Sequence, residues 1–150
     1  MTPRPGLKLF LDRSTNSRRF AAGVRLLVAD VVTIGERYGV GPAERVKDVQ
    51  WLADATAEDR VCVGADRAIL SNELELAAVL EFGARYVVFS NNNITSQEQL
   101  ERFTACLPQI GRLADKRGPW VAVIERDGMR ETDVSKLEER LARLRKRHMS

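Results

Sequence analysis

Two aspartates in this chain end short apolar runs, and each is followed directly by arginine. Asp12 stands in Leu-Phe-Leu-Asp-Arg-Ser, and Asp66 in Val-Cys-Val-Gly-Ala-Asp-Arg. A third acid, Asp48, lies one helical turn before Trp51 and Leu52. Glu36 follows the apolar run ending at Ile34, and Ser90 with Asn91, Asn92 and Asn93 follows the run ending at Phe89. Carboxylate and amide oxygens suit a hard, small cation such as Mg²⁺. Such an ion lowers the pKa of a bound water and shields charge growing at phosphorus. Other chemistries lack their residues. His148, near the C-terminus, is the only histidine. A Ser-His-Asp triad, a Cys-His pair or a two-histidine zinc site therefore cannot be built in the body of the chain. Cys62 and Cys106 sit in apolar or helical patterns and read as small buried thiols.

Each of these residues also has a purely structural reading. Asp12 could end a strand in a turn, and Asp66 could cap a short helix starting at Arg67. The Asn run suits a loop that tolerates left-handed backbone. Glu44 and Asp48 could form a solvated helix face, being four apart, or Asp48 could itself start a helix. Arg13, Arg18, Arg19 and Arg67 could hold phosphates through paired N–H groups, or pair locally with Asp12 and Asp66. The set carries more weight than any member. Two carboxylates about 4 Å apart repel by roughly 4 kcal/mol at an effective dielectric near 20. Without a cation, one acid of a tight cluster should therefore stay protonated, or an arginine should intervene.

Something must bring these positions together. Five runs read as strands: 7–11, 30–34, 61–63, 85–89 and 120–124. Most are continuously apolar or β-branched, as strands covered on both faces are. Helical patterns fill the gaps. Residues 17–28 place Phe20, Val24, Leu27 and Val28 on one face. Pro42 is placed to open a helix through 58. Residues 73–82 form a helix ended by Gly83. Thr95-Ser-Gln-Glu98 reads as a capping box before a long helix bent at Pro108. Alternation of this kind predicts an α/β fold with a mostly parallel sheet of about five strands, the last run being a candidate for an antiparallel edge. In open α/β sheets, sites form beyond the carboxyl ends of the strands. Asp12, Asp66 and the Asn run all fall there.

The 150 residues suit one domain. No apolar run approaches the roughly 18 residues of a membrane span, and the start, MTPRPGLKLFLD, lacks a signal-peptide pattern. The expectation is a cytoplasmic protein without a membrane partner. The net charge is +3, and all of it lies in the tail. Residues 133–150 hold six basic and three acidic side chains, leaving 18 of each elsewhere. The division is thus residues 1–132 as the domain and 133–150 as an amphipathic helix with a basic end. Val134, Leu137, Leu141 and Leu144 make a narrow apolar seam. It either docks on the body or pairs with another copy, giving a possible homodimer. The terminal Arg-Leu-Arg-Lys-Arg could touch RNA.

Leu-Phe-Leu-Asp12-Arg-Ser, Asp48-Val-Gln-Trp51-Leu and Val-Gly-Ala-Asp66-Arg-Ala-Ile, in this order and spacing, resemble the motifs of compact PIN-like domains. These include the toxins of VapBC-type toxin–antitoxin pairs. The resemblance spans roughly residues 7–126 and continues through Asn91-Asn92-Asn93 and the helix around Pro108. It implies a PIN-like fold and metal-dependent cleavage of RNA. It implies that Asp12 and Asp66 ligate Mg²⁺ or Mn²⁺, with Asp48 completing the site, and that a cognate antitoxin protein is a partner. Arg13, Arg18, Arg67, Asn91 and Asn92 are the candidate substrate contacts. Many PIN domains carry a fourth acid. This sequence shows no sure equivalent, and the amides at 91–93 are candidates for its place. Two rivals follow. One is a PIN-like module with a degenerate site that only binds RNA or protein. The other is a phosphoacceptor receiver domain, which expects an acidic pair after the first strand and a lysine after the fifth. Here there is a single Asp12, and Arg126-Asp127 replaces the lysine.

Overall fold

Successive residues of a strand point to opposite faces of a sheet, and in this chain both sets are apolar. Leu7, Leu9 and Leu11 face one way, with Val61, Val63, Val87, Phe89 and Ile124. Phe10, Cys62, Tyr86, Val88 and Val123 face the other. Such strands are stable only between two layers of helix. The computed structural model, which describes residues 4–149, has that arrangement. The first three residues of the N-terminal reading, and Ser150 of the tail, lie outside the described residues.

The strands are β1 (Arg4–Leu11), β2 (Val28–Thr33), β3 (Val61–Gly64), β4 (Arg85–Phe89), β5 (Trp120–Glu125) and β6 (Gly128–Thr132). They form one sheet in the order β2-β1-β3-β4-β5-β6. All neighbours are parallel except β5 and β6. The fold is therefore α/β, with a mostly parallel sheet of six strands rather than five. The antiparallel edge is β6, while β5 pairs parallel with β4. The two-residue connection Arg126-Asp127 returns the chain at once, and so short a link permits only an antiparallel neighbour.

Helices α1 (Arg18–Arg25) and α6 (Ser96–Ala114) cover the first face. Phe20 meets Phe89 and Phe103 edge to face there. The second face is covered by α4 (Asp48–Ala57), α5 (Glu73–Phe82) and α7 (Val134–Met149), with Trp51 stacked on Phe10 at 5.4 Å. Gly83 ends α5 in the left-handed region, at φ 76°, where a side chain would be strained. The apolar seam of α7 is spent inside the chain. Leu137 and Leu141 are buried in the second layer, and Leu144 packs against it. That surface is no longer available for the homodimer that the sequence allowed.

Three helices differ from their expectation. Helix α1 stops at Arg25, and Val28, read as part of that helix, opens β2. The stretch from Pro42 to 58 is broken into α3 (Val40–Ala43) and α4, and α2 (Ile34–Tyr38) precedes them. Arg13 explains the break. Its guanidinium donates to the carbonyls of Ala43 and Val46, acceptors that a continuous helix would need for itself. Glu44 ends α3 and Asp48 starts α4, so they share no helix face. At α6, Thr95 accepts the N–H of Glu98, but Glu98 turns to Arg102. The reciprocal capping box is instead that of Thr33 and Glu36, at the start of α2.

Candidate active site at the carboxyl edge of the sheet

In a parallel sheet with helical crossovers, the strands' carboxyl ends and the following helices' carboxyl ends point in opposite directions. The helix that feeds a strand therefore begins at the carboxyl edge. Here β1 and β3 deliver Asp12 and Asp66 to that edge, while α4 and α5 begin there with Asp48 and Glu75 in their first turns. Central β1 and β3 are neighbours, and Leu11 pairs with Val63.

Asp12 is buried and tightly held. Its Oδ1 accepts from the Ser14 N–H at 2.9 Å, the Ser14 hydroxyl at 2.6 Å and the Thr15 hydroxyl at 3.3 Å. Ser14 Oγ also accepts the Ala65 N–H at 2.7 Å, which ties the end of β1 to the end of β3. Oδ2 lies over Gly64. A Cβ at that glycine would stand 2.6 Å from it and 2.5 Å from the Tyr86 hydroxyl, so only glycine leaves room for both. The Tyr86 hydroxyl donates to the Asp66 carbonyl at 3.3 Å. Burial, with the charge of Asp48 adding to it, pushes the Asp12 carboxyl up to about 6 against the pull of its hydrogen bonds.

Asp48 Oδ1 accepts from Trp51 Nε1 at 2.8 Å and pairs with Arg13 at 3.2 Å. Glu75 lies beside it. Burial, a hydrogen bond to Asp48, and the charges of Asp48 and Asp66 push the Glu75 carboxyl up to about 7. Asp66 is exposed and accepts the Ala68 N–H, capping a 3₁₀ turn (Arg67–Ser71). The four acids thus form one electrostatic group.

Glu75 is a fourth acid at this edge, beside the three read from the sequence. The amides named as candidates for a fourth ligand follow β4 at the same edge. Asn91, Asn92 and Asn93 are exposed, and Asn91 spends its Oδ1 on the Asn93 N–H. Among the described residues, no hydrogen bond links this run to the acids. Glu36 is also outside the group, being engaged by the Thr33 backbone and by Arg25. Arg18 and Arg67 are exposed near the edge. Arg13 has turned its donors to Ala43, Val46 and Asp48. A usable signal for Glu75 existed: it is three residues past Asn72, which caps α5 by accepting its N–H. It therefore belongs to a helix start that must lie at the same edge.

The donor set suits a hard divalent ion, being carboxylate throughout. Among the described residues, no three acids converge on a single point as ligands. Mg²⁺ commonly keeps several waters and takes only one or two protein carboxylates directly. An open arrangement of this kind is compatible with such a water-rich site. A cleft of about 740 Å³ opens between α1, α2 and α3, reaching Arg13, the partner of Asp48. Arg13, Arg18 and Arg25 line it with Glu36, Glu44 and apolar Ala21, Ile34 and Val40.

A family model described as PIN like domain matches residues 7–91. No curated protein and no solved structure gives a significant match.

Proposed function

Because the chain belongs to the PIN-like domain family, whose fold is of nuclease type, we propose that its carboxyl edge is the active site of a divalent-metal-dependent endoribonuclease. The observation that carries this reading is the gathering of Asp12, Asp48, Asp66 and Glu75 at one edge of the sheet, where burial first and neighbouring acids second raise the proton affinity of Asp12 and Glu75. Asp12, Asp48 and Asp66 would hold Mg²⁺ or Mn²⁺, with Glu75 alongside. A divalent ion held there would lower the pKa of its water, so that hydroxide would be available near neutral pH.

The chain's own residues do the rest. Ser14 and Thr15 saturate Asp12 Oδ1 and fix the carboxylate plane, leaving Oδ2 as the freer oxygen. Trp51 and Arg13 fix Asp48. Glu75, beside Asp48 in the first turn of α5, adds a further carboxylate to this edge. No imidazole base is needed, which agrees with a body that contains none. Arg18 and Arg67 stand where phosphates of an RNA strand can be held.

The reading extends to a toxin restrained by a cognate antitoxin. The cleft's apolar Ala21, Ile34 and Val40 with exposed Arg18 support it, because an amphipathic segment bearing an acid for Arg18 could seat there beside Arg13, the partner of Asp48. The rival reading, a degenerate PIN-like module that only binds RNA or protein, draws on the unclosed ligand geometry.

One experiment separates them. In Mn²⁺ the wild-type chain should cleave single-stranded RNA and melt at a higher temperature. Asp12→Asn should fold, by circular dichroism, and do neither. A wild-type chain that binds RNA without metal-dependent cleavage would leave only the binding module.

A further inference from the structure

The family match ends at residue 91, and α7 lies beyond it. Its residues sort cleanly around the helix at 100° per position. Leu137, Leu141 and Leu144 face the body. Beside them, Lys136, Arg140, Arg143 and Arg147 fall within roughly 60° of one another, as a single basic stripe. Glu138 lies well off this stripe, and Glu139, four residues before Arg143, flanks the edge away from the leucines. The stripe faces the 3₁₀ turn that follows Asp66. Arg140 donates to the Leu70 carbonyl at 3.0 Å, so its guanidinium is fixed at the seam.

Two adjoining hollows record the continuity. One, of about 310 Å³, is lined by Arg67, Ser71 and Arg140. The other, of about 240 Å³, is lined by Ser71, Arg140, Arg143 and Arg147. Arg67 is the next residue after Asp66. A row of guanidinium groups therefore runs from the carboxylate edge along the outside of α7. A single-sign row of this kind raises the local concentration of polyanions and steers them. Planar guanidinium groups also match phosphate oxygens in pairs.

The geometry points to a track for the phosphate backbone of single-stranded RNA, running from Arg67 across Arg140 to Arg143 and Arg147. The track rests on the nuclease reading for the identity of its polyanion. It gives the C-terminal helix a role in holding the strand that the acids cut. Arg143 and Arg147 contribute affinity without sequence preference, because they meet phosphates rather than bases.

The test is fluorescence anisotropy of labelled oligouridylate in EDTA, where no cleavage occurs, over a series of salt concentrations. The full chain carrying Arg143→Glu and Arg147→Glu should bind at least about tenfold more weakly. Its salt slope should be shallower by roughly 1.4, for two phosphate contacts at about 0.7 each. A charge-matched control, Arg112→Glu with Arg117→Glu, lies elsewhere on the surface and should stay within about twofold of wild type. Arg140→Gln, which keeps a donor for Leu70, should weaken binding with a smaller effect on melting temperature than Arg140→Ala.

Equal loss in the control, unchanged affinity in the track variant, or no RNA binding by the wild type would each overturn the track. Binding of polyglutamate without RNA would overturn it in favour of an acidic polypeptide. The nuclease reading fails separately. Track-dependent binding with no Mn²⁺-dependent cleavage sinks the enzyme and keeps the track. Cleavage with an unaffected track variant does the reverse.

Discussion

The two ends of the sheet treat charge in opposite ways. At the amino edge, acids and bases alternate. Arg85 meets Asp59 at 2.8 Å, Arg60 meets Asp30 at 2.8 Å and Glu58 at 3.5 Å, and Arg37 meets Glu58 at 2.9 Å. At the carboxyl edge, four acids gather, and among the described residues the ion pair they make is that of Arg13 with Asp48. Balanced charge at one edge serves the fold. Unbalanced charge at the other costs stability, because like charges resist desolvation and one another. The metal site proposed for the carboxyl edge would recover that cost on binding a cation, and the amino edge has no such use for one.

The largest effect should come from Glu75, which most clearly separates the edges. Glu75→Gln preserves a hydrogen bond to Asp48 but removes a titrating carboxyl. RNA cleavage in Mn²⁺ should fall by roughly a hundredfold or more. Glu36→Gln, equally conservative, changes a helix cap and should leave the cleavage rate within about twofold while costing about 1 kcal/mol or less of stability. Equal rates for both variants would remove Glu75 from the site.

Next in size is the stability cost of Asp12. Its folded-state pKa is raised from 3.8 to about 6, first by burial. A raised carboxyl favours the folded state below about pH 4, and that contribution is lost as pH rises through about 6. The loss amounts to about 3 kcal/mol. Urea unfolding in EDTA at pH 4 and pH 7 should therefore show Asp12→Asn gaining on the wild type by about that amount, while it loses cleavage. A difference between the two proteins that does not move with pH would show that the carboxylate is not strained.

The smallest effect should lie at the balanced edge. Arg60 is largely buried and donates to the Leu9 carbonyl as well as to Asp30. Arg60→Met should cost about 2 kcal/mol, since charge-assisted hydrogen bonds are lost. Its melting shift on adding Mn²⁺ should equal that of the wild type. A changed metal response would mean that the edges are coupled, and the contrast between them would fail.

Much of this contrast is legible in the residues. The apolar runs ending at Leu11 and Gly64 predict buried strands, and the rule for α/β sheets then places Asp12 and Asp66 on one rim. The helix ended by Gly83 is equally plain, because a positive φ and the end of an apolar stripe coincide there. Strand β6 was harder to see. Its residues, Gly-Met-Arg-Glu-Thr, are largely exposed, so periodicity carries little signal, and only pairing with β5 makes them a strand. The break between α3 and α4 was hidden too. Its cause, Arg13, lies 30 or more residues away along the chain.

Local pattern determined the type of most elements, because helix and strand periods are properties of neighbouring residues. It also determined the absence of imidazole chemistry in the body, because composition alone settles that. Which acid joins which was decided only by tertiary packing. Glu73 and Glu75 are both acids in the first turn of α5, a common place for them beside a helix dipole. The Asn72 cap marks Glu75 as the third residue of the helix, but no local feature says which of the two meets Asp48. The docking of α5 beside α4 sets Glu75 against Asp48, and that of α7 sets His148 against Glu73 at 2.7 Å. Coulomb energy depends on distance in space, and distance in space is what a folded chain supplies and a sequence does not state.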